Sequence, residues 1–288
     1  MTDIRLNLPL ERPFTAAIPV RSWVGIGILA VLALLVCAAP LLTSFGEGQI
    51  ISDESFAFPA NAGWLGTDHL GRDLWSRLLY GGRFTLLIAL VTTVITFLAG
   101  AGIGFFSGLA GGLVDDIIGR TVDAVLSIPS IILALLVINA LGTSIPTVVG
   151  IVALIEACRV FRLARALALQ IGALDYVDAA RARGESLLWL AVREVLPNAT
   201  GMLAAEFGLR FTYIILFISA LSFIGLGVQP PTADWGVMVR ENSQGLLYGS
   251  PAALLPAAAI AVVTISINLI IDGFVERDQG NRTPEMLP

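Results

Sequence analysis

Five uncharged apolar runs, residues 23–42, 84–106, 124–141, 211–228 and 251–271, are each about long enough to cross a bilayer as a helix. In lipid, every backbone N–H and C=O must be satisfied within its own segment, so such runs fold as α-helices. A sixth run, 142–155, is apolar but short, and reaches crossing length only by taking in Glu156, Cys158 and Arg159. It counts as a span because the two sides of the membrane otherwise fail to alternate. The expected fold class is therefore an all-α membrane protein with six transmembrane helices. Charged residues make up 14% of the chain, against about 25% in soluble domains. The first run is longer than the apolar core of a signal peptide and reads as an uncleaved first span.

Arginine placement sets the expected orientation, because basic residues accumulate on the cytoplasmic side. With the N-terminus inside, the cytoplasmic segments carry twelve arginines: Arg5, Arg12, Arg21, Arg120, Arg159, Arg162, Arg165, Arg181, Arg183, Arg193, Arg277 and Arg282. The outer segments carry four, Arg72, Arg77, Arg83 and Arg240. The layout that follows is a cytoplasmic segment 1–22, a six-span domain 23–274 and a cytoplasmic tail 275–288. Extracytoplasmic loops fall at about 44–83 and 229–250, and a cytoplasmic loop at about 171–200. No further soluble domain fits into this layout.

The loop 171–200 is the polar exception between apolar runs. Ala179, Ala180 and Ala182 are strong helix formers with small side chains, which lets a partner surface approach the backbone. Asp175 and Asp178 fall in the first turn and Arg181 and Arg183 in the last, as the helix dipole favours. Gly184 suits the left-handed residue that ends such a helix. A second helix is expected to place Leu187, Leu188, Ala191 and Val195 on one face along the membrane boundary, and Pro197 to begin the fifth span.

The order Asp178-Ala179-Ala180, three residues, Gly184, eleven residues, Leu196-Pro197 resembles the cytoplasmic loop of permease subunits in ABC importers. There the loop docks as two short helices into a groove on an ATP-hydrolysing partner. The resemblance assigns this coupling role to Asp175, Tyr176, Asp178, Ala179, Ala180, Arg181, Arg183, Gly184, Glu194, Leu196 and Pro197. Asp178 stands in place of the usual glutamate, and Glu194 where close relatives carry histidine. Leu65-Gly-Thr-Asp-His-Leu-Gly-Arg-Asp73 and Ser76-Arg-Leu-Leu-Tyr-Gly-Gly-Arg83 are similar to the region before the second span of dipeptide and oligopeptide permeases. Leu221-Ser-Phe-Ile-Gly-Leu-Gly-Val-Gln-Pro-Pro231 with Asp234-Trp-Gly236 resembles their fifth-span exit, and Asp123 with Ser127-Ile-Pro129 also matches.

This resemblance implies the type I ABC importer transmembrane fold and the shorter, C-type permease of a heterodimeric pair in a bacterial inner membrane. The implied partners are a second permease, one or two cytoplasmic ATPases using ATP and Mg2+, an extracytoplasmic solute-binding protein, and the lipid bilayer. The implied cargo is di- or oligopeptides; nickel, glutathione or another small solute is the alternative. Asp68, Arg72 and Asp73, in a glycine-rich loop with Gly66 and Gly71, are expected to make exposed ion pairs, which contribute little stability. With Gln229, Pro230, Pro231 and Trp235 they are candidates for an outer gate or a contact with the binding protein.

Other chemistries are set aside on composition. The chain contains no lysine, so it has no P-loop to grip phosphate, and its own ATP hydrolysis is excluded. His69 is the single histidine, which removes zinc sites built on histidines, and it is expected to be exposed. Neither catalytic nor metal-ligating residues are assigned, nor a nucleic-acid partner. Cys37 and Cys158 lack ligand spacing and are expected as small buried hydrophobes. Gly104-x-x-x-Gly108 is expected to bring two helices close together, and Glu206 and Arg210 to pair with one another. A secondary transporter is expected to place ionisable or unwound segments in related halves, and none stands out.

Overall fold

The structure, a computed structural model, describes residues 19–59 and 63–282, with side chains as far as Glu276. Arg5, Arg12 and the tail beyond Arg282 lie outside the described residues. The apolar runs are helices, and the only β-pairing among the described residues is two isolated bridges, Ile50 with Arg72 and Thr67 with Asp73. The elements are α1 (Val20–Cys37), the short α2 (Ala39–Leu42), α3 (Leu74–Ala110), α4 (Gly112–Leu126), α5 (Ser130–Leu141) and α6 (Ile145–Gly172). They continue with α7 (Asp175–Ala182), α8 (Leu187–Trp189), α9 (Leu196–Ile224), α10 (Trp235–Glu241) and α11 (Leu254–Arg282). α8 runs through a π-helical stretch, Leu190–Val195, into α9 as one 38-residue helix.

Among the described residues, four helices are long and apolar enough to cross a membrane: α1, α3, the α8–α9 unit, and α11 over Leu254–Glu276. The expected span 124–141 is not one helix. It straddles a break at Ser127-Ile128-Pro129, where α4 and α5 meet at 87°. Pro129 has no N–H to offer, and it disfavours helical backbone at Ile128. Counted as a pair, α4 and α5 make a fifth candidate. The sixth expected span is the first half of α6. Its 28 residues reach about 42 Å, but Glu156, Arg159, Arg162 and Arg165 disqualify it as a lipid-exposed apolar segment.

α3 and α6 share the most extensive helix–helix contact, and three glycines let them approach closely. A Cβ on Gly100 would lie 2.6 Å from the Ala157 carbonyl oxygen, one on Gly104 2.8 Å from Ala164 Cβ, and one on Gly108 2.8 Å from Ala168 Cβ. The expected Gly104–Gly108 contact is thus one part of a longer small-residue seam. Inserting carbon into such a seam costs about 1–3 kcal/mol or more. Gly104→Leu should therefore lower the thermal unfolding midpoint of the purified protein by several degrees. Gly102→Ala faces open space and should leave it unchanged; equal midpoints for both would remove the seam from the account.

α1 leans on α11 in the same way, with Gly25 against the Ser266 carbonyl and Gly273 against Ser22. The main core gathers Leu74, Ile138, Val152, Ile214, Ile218 and Trp235. A second core lies at the α7 end of the bundle and includes Phe105, Ala164, Leu167, Leu190 and Leu203. The cysteines depart from expectation: Cys37 is exposed and Cys158 only half-buried.

Candidate functional site

α7 is eight residues long, too short to be stable alone, so its tertiary contacts hold it. Val177 and Ala180 are buried in the second core, against residues of α3, α6 and α9. Arg181 Nη2 donates to the Leu109 carbonyl at the end of α3 (3.2 Å), and Asn198 Nδ2 of α9 donates to the Tyr176 hydroxyl (3.2 Å). The helix ends as its residues foretell. Gly184 takes φ +88°, its N–H donates to the Arg181 carbonyl (2.9 Å), and the Glu185 N–H donates to the Ala180 carbonyl (3.3 Å). These two bonds are the Schellman pattern, which satisfies carbonyls left free at a helix end.

The opposite face of α7 is open. Asp175, Asp178, Ala179, Arg183 and Gly184 are exposed there, with Leu174 beside them, and Tyr176 and Arg181 are exposed at the edges where they bond to α9 and α3. The following helix keeps most of its expected face: Val195 is buried, and Leu187 and Ala191 pack half-buried against the second core. Leu190 and Val195 are its buried residues, whereas Leu188 is 74% exposed. Leu188 alone of the four expected residues leaves that face, and Leu190 joins it. Pro197 stands in the first turn of α9 as expected, although α9 continues directly from the π-helical stretch. Leu196 and Pro197 are exposed and Glu194 half-buried, its carbonyl accepting from Asn198 Nδ2 (2.7 Å).

At the other end of the bundle the residues do not form the expected exposed loop. Asp68 is 0% exposed, and Arg72 and Asp73 are also buried. Asp68 Oδ2 accepts from Arg72 Nε (2.6 Å) and pairs with Arg77 Nε (3.3 Å), while Oδ1 accepts from the N–H groups of Leu70 and Arg72 (both 2.9 Å). Glu241 Oε2 of α10 closes the cluster on Arg72 and Arg77, both at 3.1 Å. Asp73 stands apart as the N-cap of α3, accepting from the Ser76 N–H at 2.9 Å. His69 is half-buried, and its Nδ1 has no hydrogen-bond partner.

Trp235 is buried as well. It fills the space over Gly82, donates from Nε1 to the Leu78 carbonyl (2.9 Å), and receives support from Thr85, whose hydroxyl donates to Asp234 Oδ1 (2.7 Å). Burial pushes the Asp234 carboxyl above its ordinary range, opposed by the bonds from Thr85 and Val237. Asp68, Arg72, Asp73 and Trp235 therefore hold this end together instead of offering a contact surface. Gln229, Pro230 and Pro231 are exposed, with Gln229 Nε2 donating to the Gly225 and Gly227 carbonyls (both 3.1 Å).

Two polar clusters inside the bundle are hard to see in sequence. Asp115 of α4 accepts from Ser107 Oγ (2.6 Å) and Arg165 Nε (2.5 Å), joining α3, α4 and α6. Arg210 pairs with Glu206 as expected (2.6 Å), but also with Glu156 of α6 (2.9 Å). Glu156 in turn pairs with Arg159, whose Nη2 donates to Ser130 Oγ of α5 (2.8 Å). Among the described residues, no group of three His, Cys, Asp or Glu side chains is placed to hold a metal ion.

Residues 100–277 match the family described as binding-protein-dependent transport system inner membrane component. A glutathione transport system permease protein of Pectobacterium atrosepticum is 31% identical over 86% of this chain and 83% of its own. A probable D,D-dipeptide transport system permease protein of Escherichia coli is 35% identical over 85% of this chain and 83% of its own. A di/tripeptide transport system permease protein of Pseudomonas aeruginosa is 34% identical over 86% and 84%.

Proposed function

The chain belongs to the binding-protein-dependent transport system inner membrane components, and from that membership we propose that it forms half of a pore through which an ATP-driven importer carries di- or oligopeptides. Peptides are the cargo named for the relatives from Escherichia coli and Pseudomonas aeruginosa. A second permease completes the pore, cytoplasmic ATPases supply the energy with ATP and Mg2+, and an extracytoplasmic binding protein delivers the peptide. The termini and α7 face the cytoplasm, and α10 with the loop before α3 faces outward.

The observation that carries this reading is the two-sided character of α7. One side is locked by Val177, Ala180, Arg181 and Tyr176 to α3, α6 and α9, while the other offers Asp175, Asp178, Ala179 and Arg183 to a partner. A force applied to the open side reaches three long helices at once through packed contacts. That is what alternating access needs, since a bistable bundle shifts only when something acts differently on its two states. At the far end, Gln229, Pro230 and Pro231 are exposed where a binding protein would dock.

Crosslinking tests the placement. In the assembled transporter, Asp178→Cys should join the ATPase chain through a short bifunctional thiol–amine reagent. Leu247→Cys, 85% exposed at the opposite end, should not. Equal yields at both positions, or none at 178, would contradict the proposal.

A further inference from the structure

The alternating series Glu206, Arg210, Glu156, Arg159 joins α9 to α6. A Cβ on Gly100 would meet the Ala157 carbonyl, so Glu156 is level with Gly100, about 24 Å along α3 from Phe84. Ionisable side chains at that depth face the protein interior or water, because lipid cannot solvate them. The four are not equally placed. The Glu156 side chain is 2% exposed, whereas that of Arg159 is 37% exposed. A carboxylate is therefore held behind, and a guanidinium is presented. It is presented at a cavity of about 340 Å³ lined in part by Ser130, Glu156, Arg159, Tyr213 and Phe217. Tyr213 at the same opening is 53% exposed.

We propose that this cavity lines the water-filled pathway of the permease, and that Arg159, beside the Ser130 and Tyr213 hydroxyls, meets the carboxylate of the passing peptide. The proposal rests on the permease reading above. Guanidinium has donors and no acceptor, and carboxylate is the group its planar fork fits best. Glu156 keeps Arg210 as a partner when Arg159 turns to the peptide, so no buried charge is stranded. Because Glu156 also competes for Arg159, the peptide is held weakly, and a pathway has to release what it binds.

The test uses the assembled transporter in proteoliposomes, with Cys37 and Cys158 replaced by alanine and Tyr213→Cys introduced. Two water-soluble methanethiosulfonates, one bearing a sulfonate and one an ammonium group, report access and local charge. Tyr213→Cys should react with both, and should favour the sulfonate relative to a free thiol, because Arg159 is the charge exposed at the opening while Glu156 is buried behind it. Arg159→Gln should abolish that preference and Arg159→Lys retain it. Leu98→Cys, on the apolar face of α3, should stay unlabelled. Reactivity at 213 no greater than at 98, or a preference unaffected by Arg159→Gln, would overturn the proposal. ATP-driven dipeptide uptake by the cysteine-free parent separates the two levels. Uptake without the expected labelling removes only this site, whereas absence of uptake removes the permease reading as well.

Discussion

Replacing Gly184 with valine should reduce ATP-driven peptide uptake by at least about tenfold, the equivalent of roughly 1.4 kcal/mol, while the chain still inserts and folds. The residue sits at φ +88°, where an L side chain costs roughly 1–2 kcal/mol and a β-branched one is an outlier. Nothing lies within 4 Å of the position a Cβ would occupy, so the penalty is backbone strain alone and stays local. Relief comes by unwinding the last turn of α7, which breaks the Glu185-to-Ala180 and Gly184-to-Arg181 bonds. The open face carrying Asp178, Ala179 and Arg183 then loses its shape. Gly184→Asn is the control, because asparagine tolerates the left-handed region, and it should retain most of the uptake. Unimpaired uptake in the valine variant would detach α7 from energy coupling.

Asp68→Ala should destabilise the protein by about 3–5 kcal/mol, the usual effect of removing one partner from a buried ion pair. Asp68 is fully buried and holds two guanidiniums and two backbone N–H groups. Its loss leaves Arg72 and Arg77 to share Glu241 alone. The cluster also joins α3 to α10 across a wide stretch of sequence, so both elements should loosen together. Asp68→Asn keeps acceptor capacity and should cost less. Chemical unfolding of the purified protein measures both, and a change under about 0.5 kcal/mol for alanine, the ordinary surface range, would show that the cluster is solvated.

The long helices and the α7 turn were readable from sequence because each depends on local chemistry: apolar length for α3, α9 and α11, and a required positive φ at Gly184. What escaped depends on distant partners. Asp68, Arg72 and Asp73 read as an exposed loop because Glu241, which helps bury the first two, lies far along the chain. Glu156 read as an awkward interruption of a span because Arg210 lies on another helix. The break between α4 and α5 hid inside an uncharged run, where Pro129 was outvoted by its apolar neighbours. After α7, Leu190 is buried where Leu188 was expected, and the π-helical stretch there is a local widening that a helical period cannot anticipate.

In the proposed function, energy enters this permease from another chain. Uptake of a labelled dipeptide should be measured in proteoliposomes holding this chain and its partner permease, with the binding protein added outside. The ATPase subunits are present or absent, and so is ATP with Mg2+. Uptake is expected only where the ATPases and hydrolysable ATP occur together. Equal uptake in vesicles lacking both would contradict the account.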